Sequence, residues 1–331
     1  MKKRPASVLL ATALATCSLA GCSLGPLDLG SVGLGSLAVT TSVADARAAA
    51  REALVPAVAD SELAQAGTLT VGVPSDETAP LAIAGADGSL GGIDVDVAHA
   101  LADALGLASV RVVSVEGVAE GLEAGCDVVM GATQDDVTDA VSVQGSYVQS
   151  AVGVFASSGA TAPISVDELA EKSVGVQAGS VSARALSKLD LTVTQEQFSN
   201  LNEAVKALDA GTLDFVACDA YSGAYLATVS EHAFFAGTLD TPVSVGVATR
   251  ADASALQAAV GEALARISEN GVVDVARGRW VGSLPMLTDA TRVSGVAELE
   301  AASDGAEDPK AADAADGASA AADGADTTPA E

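Results

Sequence analysis

The chain has 331 residues, with 16 basic and 44 acidic side chains and a formal charge of −28. So acidic a surface repels nucleic acid and anionic lipid headgroups, which excludes both as partners. Aromatic residues make up 3% of the chain, so a core must be assembled from Val, Leu, Ile and Ala, and any ligand pocket is poor in stacking surfaces.

Lys2, Lys3 and Arg4 precede an apolar run from Ala6 to Ala20, the pattern of a secretory signal with small residues at the cut. The run is shorter than the ~20 residues a helix needs to cross a bilayer. Leu19-Ala20-Gly21-Cys22 at its end resembles the lipobox of bacterial lipoproteins. That resemblance implies removal of residues 1–21 and a lipid on Cys22, leaving 13 bases against 44 acids, a net −31. Ser23 to Val43 is rich in Gly, Ser and Leu with Asp28 its only charge, and reads as a tether. Residues 44–66 are Ala-rich with helical spacing, so 22–65 is expected to be anchor, tether and helix.

From about residue 66 strands and helices alternate. Leu69, Val71 and Val73 recur with a period of two, which predicts a strand. Asp94 and Asp96 sit where a helix N-terminus favours anions, Val97, Leu101 and Leu105 follow at helical spacing, and Gly106 supplies the stop. Further strands are predicted over Val110–Val115, Asp127–Met130, Ser173–Gln177, Asp214–Cys218 and Ser244–Thr249. Further helices are predicted over Ala119–Glu123, Val181–Leu189, Asn202–Leu208, Tyr221–Thr228 and Asp252–Glu269. Such alternation means an α/β fold with largely parallel sheets. Leu122-Glu-Ala-Gly125-Cys-Asp127-Val-Val is echoed by Leu208-Asp-Ala-Gly211-Thr-Leu-Asp214-Phe-Val, a helix end, a Gly turn and an Asp opening a strand. The echo suggests two similar lobes, although this turn is common enough to recur by chance. Ala301 to Glu331 holds eight acids, one base and no aliphatic larger than Ala. Such a composition cannot bury enough apolar surface to offset ordering, and 285–331 is expected to be an acidic disordered tail.

Several segments taken in order resemble polar-amino-acid-type solute-binding proteins of ABC importers (solute-binding protein family 3), here in lipoprotein form. They are Gly67-Thr-Leu-Thr-Val-Gly-Val73, Asp87-Gly-Ser-Leu-Gly-Gly-Ile-Asp-Val-Asp-Val97, Leu105-Gly-Leu107, Asp167-Glu-Leu169, Val174-Gly-Val-Gln-Ala-Gly-Ser180, Asn202-Glu-Ala204, Asp214-Phe-Val-Ala-Cys-Asp219, and Asn270-Gly271 with Trp280. The resemblance implies a two-lobed, periplasmic-binding-protein-like (type II) fold with a hinge and a ligand cleft between the lobes. Lobe 1 would be 66–155 plus the return 249–284, and lobe 2 would be 156–248. Open α/β sheets bind ligands beyond the carboxyl ends of their strands, and closure around the ligand is a hinge motion that a permease reads.

An amino-acid ligand needs partners for its ammonium and its carboxylate once dehydrated. The resemblance places Asp219 against the ammonium, while the residue also suits the N-cap of the helix that follows. Ser180, after Gly179 at a helix start, is either an anion-binding hydroxyl or a plain N-cap. Thr133 offers a hydroxyl from lobe 1. Asp76, on the first strand-to-helix loop, is either a side-chain selector or a solvated acid. Leu81 stands after Pro80 where the family carries an aromatic residue.

The family's carboxylate clamp, an Arg in a Thr-x-x-Arg-like run, has no counterpart in Ala132-Thr-Gln-Asp-Asp-Val-Thr-Asp139, and no Lys or Arg occurs from Val112 to Glu171. A hydroxyl does not replace a bidentate guanidinium. Three readings stay open: a ligand lacking a carboxylate, such as an amine; an anion held by helix N-termini and Ser180; or a degenerate cleft in a sensory or protein-interaction module. Asp96, His99 and Asp103 share a helix face at metal-compatible spacing, but an exposed His–Asp face is the plainer reading. No phosphate loop, zinc pattern or nucleophile elbow occurs, so no cofactor, no metal and no enzyme are expected, with a dehydratase-like activity a distant alternative. Cys126 and Cys218 fall at opposite ends of their strands and are expected to be free, buried thiols. The expectation is a lipid-anchored, extracytoplasmic, monomeric substrate-binding component that hands a small polar solute to a permease.

Overall fold

The computed structural model describes residues 54–74, 79–159, 162–189 and 191–299; Cys22 and Asp76 lie outside them. Leu69, Val71 and Val73 form β1 (Thr68–Pro74), and all seven of its residues are buried rather than alternate ones. A parallel strand covered by helices on both faces reads this way. Burying each such side chain contributes ~1.5–3 kcal/mol. A short hairpin, β2 (Ile83–Ala84) and β3 (Leu90–Gly91), leads into α1 (Ile93–Ala104), β4 (Ser109–Val115), α2 (Val118–Glu123), β5 (Val128–Ala132) and β6 (Val141–Ser150). After one residue the chain enters β7 (Val152–Ala156), then α3 (Val166–Leu169), β8 (Ser173–Gln177), α4 (Val181–Lys188), β9 (Thr194–Phe198), α5 (Leu201–Asp209), β10 (Phe215–Asp219), α6 (Ala220–Ala227) and β11 (Phe234–Thr238). It returns through β12 (Val243–Arg250) to α7 (Ser254–Glu269) and α8 (Val272–Val281).

Two five-stranded sheets result, in the orders β4-β1-β5-β12-β6 and β11-β7-β10-β8-β9. Each holds a parallel trio, β4-β1-β5 or β9-β8-β10, flanked by two antiparallel strands, so the sheets are mixed rather than largely parallel. Sheet membership puts the first crossing at Ala151 and the second between Thr238 and Val243. Val152–Ala156 therefore belongs with the second sheet and Val243–Thr249 with the first, a few residues away from the expected boundaries at 155/156 and 248/249. The physical reason is pairing: β7 bonds to β10 and β11, and β12 to β5 and β6.

Two other expectations change. Residues 54–66 form no α-helix, only a 3-10 turn at Asp60–Glu62. Pro56 lacks an N–H to donate, Ala57 N–H bonds to Leu105 O at 2.8 Å, and Val58 and Leu63 are buried against the first core. The segment 285–299 is ordered: Leu287, Val293 and Val296 are buried, which the aliphatic-free composition beyond 301 does not allow. Its Arg292 and Ser294 form bridges to Thr238 and Ser165.

The repeated turn is real. Gly125 and Gly211 both adopt positive φ, 91° and 68°, a conformation glycine enters without strain. The Asp that follows pins the neighbouring parallel strand in each sheet. Asp127 accepts from Thr70 N–H at 2.7 Å and Ala64 N–H at 2.6 Å, and Asp214 accepts from Ser173 N–H at 3.0 Å and its hydroxyl at 2.9 Å. Cys126 and Cys218 are free and buried.

Candidate functional site

The carboxyl ends of the parallel strands give four corners at which the chain turns towards a helix: after β1 and β5 in the first sheet, and after β8 and β10 in the second. Such corners are where open α/β sheets bind ligands. Four of the five expected pocket residues fall on them, and Asp76 lies outside the described residues.

Leu81 is half-buried, and its carbonyl accepts from Asp94 N–H at 3.1 Å while Pro80 O accepts from Ile93 N–H at 2.9 Å. The first two N–H groups of α1 are thus occupied by the loop before it. Those two donors are therefore not available to an anion.

Thr133 caps a 3-10 turn over Gln134–Asp136. Asp136 Oδ2 accepts from Thr133 N–H at 2.7 Å and from its hydroxyl at 3.1 Å, and Thr133 Oγ1 accepts from Asp135 N–H at 3.3 Å. In place of a guanidinium, this corner holds a carboxylate folded back on its own turn.

Ser180 Oγ accepts from Ala183 N–H at 3.0 Å as the cap of α4, and the Arg184 guanidinium turns back onto Gly179 O at 2.8 Å. Asp219 Oδ1 accepts from Ser222 N–H at 2.7 Å as the cap of α6. Burial pushes the Asp219 carboxyl above the ordinary carboxylate range, against the bonds from Ser222, Tyr221 and Ala220 that favour its ionised form. Thr133, Ser180 and Asp219 each bond to their own turn or helix, so at all three the capping role is realised.

Three features escaped the reading of the sequence. Asp94, one residue into α1, turns inward and is fully buried. Tyr147 donates to its Oδ1 at 2.7 Å and in turn accepts from Gly131 N–H at 2.9 Å, while Oδ2 is without a hydrogen-bond partner. Burial pushes this carboxyl up to about 7, with the Tyr147 bond opposing. Asp96 accepts from Arg279 Nη1, shared between its two oxygens at 3.1 Å each, and from the Trp280 indole N–H at 2.7 Å, leaving His99 and Asp103 exposed. Arg277, buried on α8, donates to Tyr221 on α6 at 2.9 Å and lies 5.8 Å from the centre of that ring. The Trp280 match in the family pattern was the one available signal for this seam. A cavity of about 440 Å³ lies elsewhere, lined by Phe155, Ala224, Phe235, Leu284 and Pro285 among others. None of the four corner residues and no charged side chain lines it, which separates it from a site for a polar solute.

Comparison with known proteins agrees with this layout. Residues 69–283 match the family of bacterial extracellular solute-binding proteins, family 3. No curated protein sequence matches. Among solved structures, an ancestral cationic amino acid solute-binding protein shares 26% identity with a TM-score of 0.56, over 68% of this chain and 100% of that one. The second substrate-binding domain of GlnP from Lactococcus lactis, in its open conformation, aligns at 20% identity and TM-score 0.55 over 66% and 97%. The unliganded, open L-cystine solute receptor of Neisseria gonorrhoeae aligns at 20% and 0.54 over 68% and 94%. The last two speak for the fold alone.

Proposed function

Because the chain belongs to family 3 of the bacterial extracellular solute-binding proteins, we propose that it is the lipid-anchored substrate-binding component of an ABC importer and that its solute carries a cationic amine. The reading takes residues up to Ala151 together with 241–284 as one lobe and 152–240 as the other, with the four corners facing the cleft between them. Lipid on Cys22 would hold the monomer at the membrane, and the closed form would deliver the solute to a permease. The part played is binding without chemistry.

One observation supports the ligand class above others: where the family resemblance implies an Arg clamp, the corner after β5 carries the acids Asp135 and Asp136, and Thr133 closes it with a capping box. The first two N–H groups of α1 are likewise taken by Pro80 O and Leu81 O. Closing these corners weakens the reading in which helix ends hold an anion, and Asp219 remains as the group for an ammonium. The ancestral cationic amino acid binding protein at 26% identity leans the same way.

The test is a thermal-shift panel of amines, cationic and neutral α-amino acids and simple anions, on protein stripped of ligand by unfolding and refolding. A solute at 100 times its Kd stabilises by ~2.7 kcal/mol, enough for a clear rise in Tm. Amines and cationic amino acids are expected to shift the transition, Asp219→Asn to abolish the shift, and the effect to weaken as pH falls and Asp219 takes up a proton. Neutral amino acids shifting as strongly as amines would overturn the ligand class. Silence across the panel would favour a sensory or interaction role on the same fold.

A further inference from the structure

Away from the four corners, the cavity of about 440 Å³ lies where α6, the paired strands β7 and β11, and the loop leaving α8 come together. Phe155, Ala224, Ala233 and Val281 give it a buried floor. Phe155, Phe234 and Phe235 line it, three of the five phenylalanines in a chain that is 3% aromatic. The rings of Phe155 and Phe235 meet edge to face with centres 5.8 Å apart. A Cβ at Gly223 would strike the Phe155 ring, so glycine is what lets α6 lie against it. The wall made by the exit loop is fixed as well. Arg277, buried on α8, donates to Pro285 O at 3.1 Å, and its own charge is met by Asp274 at 3.3 Å and by the Tyr221 hydroxyl at 2.9 Å.

We propose that this cavity is a second binding site, which takes an uncharged aromatic ring carrying an N–H or O–H donor. Concavities of about 300–1,000 Å³ with apolar and aromatic walls are the usual sites for small molecules, and Ala224, Ala227 and Gly282 leave the room here. Among the described residues no charged side chain lines it. An ion taken out of water without a partner is costly, which excludes charged ligands, the cationic amine proposed for the cleft among them. The paired Phe rings present both an edge and a face, the geometry in which a third ring packs best. Two of the hydroxyls in the wall have their protons committed already, Thr228 donating to Tyr225 O and Ser230 to Asp209 Oδ1. Their oxygens are left to accept, so the ligand must donate. Phe234 keeps 41% of its surface in water, area that a bound ring covers.

The site is independent of the solute proposed for the cleft, and so is its test, fluorine NMR of para-fluorophenol titrated with the full chain. Saturable line broadening is expected, while para-fluorobenzoate, an anion of similar size, should show none at the same concentrations. Ala227→Phe fills the cavity and is expected to weaken binding about tenfold or more. Phe234→Ser alters an exposed ring, should weaken binding a few-fold, and keeps the test decisive should Ala227→Phe fail to fold. Ala258→Phe, the same substitution at an exposed position of α7, is expected to bind as the parent does. Absence of broadening with the parent, undiminished affinity in the folded variants, or an equal loss with Ala258→Phe would overturn the proposal. Benzoate binding as tightly as the phenol would overturn the ligand class.

Discussion

Asp127 and Asp214 occupy equivalent places in the two sheets, each after a Gly turn and each gripping the next parallel strand, yet they sit at different depths. Asp127 is 3% exposed and gathers N–H groups from both β1 and the segment before it. The Asp214 side chain is 45% exposed, lies 3.8 Å from Lys172 Nζ, and is held below the ordinary carboxylate range chiefly by the Ser173 N–H. The same local motif is thus a buried staple in one half and a surface clasp in the other. The cause is the extension 54–66, whose Ala64 N–H bonds to Asp127 and which has no counterpart over the second turn among the described residues.

Removing the carboxylates should separate these roles. Asp127→Ala leaves the buried Thr70 N–H of β1 and the part-buried Ala64 N–H unpaired and is expected to cost about 3 kcal/mol, whereas Asp214→Ala should cost about 1–2 kcal/mol because water reaches the vacated donors. Urea midpoints for the two variants measure the difference, and equal losses would mean that depth does not govern the motif.

An effect of similar size belongs to Asp94, for which the second half has only the small cap Ser180 at the matching corner. Its carboxyl rises from the ordinary 3.8 to about 7 on folding, so the folded chain keeps a proton that the unfolded chain gives up. Its contribution is complete below pH ~4 and lost as pH rises towards ~7, a change of at most about 4 kcal/mol. Asp94→Asn should remove that decline, so the stability difference between variant and parent, followed by denaturation at a series of pH values, ought to slope between pH 4 and 7 and flatten above.

Smallest are the caps of the second half. Ser180→Ala and Asp219→Ala should each cost about 1 kcal/mol, with Thr133→Ala, whose turn has only three residues, below that. These values, read from Tm, sharpen the comparison of the halves: a larger loss at Thr133 than at Ser180 would make the first sheet's corner the more dependent on its cap.

Much of this was legible in the residues. Leu69, Val71 and Val73 mark β1 through their period, and the Asp127 and Asp214 turns announced two related units, because a helix end, a positive-φ glycine and a strand-opening acid are all local signals. β6 and β7 were missed: Val141–Ala156 is broken by Gly145, Ser146 and Gly153, and its strands are stabilised by distant partners, β12 and β10. The corners were found as residues but not as bonds. That Asp136 folds back on Thr133, or that Asp94 rather than Asp96 faces inward, depends on which way a turn points, and helical spacing alone leaves that open. The segment 285–299 was read with the acidic tail that follows it, since Val293 and Val296 are too few to show a period of their own.

Trp280 is the chain's single tryptophan, and it stands at a revealing place. Its indole N–H is held by Asp96 of α1, the Arg279 guanidinium lies 5.0 Å from its ring centre, and Tyr225 of α6 is 6.3 Å away. Indole emission from the intact protein, excited beyond the tyrosine absorption band, therefore originates at one seam, where α1, α6 and α8 meet. The molecule carries its own optical gauge of that seam, with no dye to attach and no second indole to subtract.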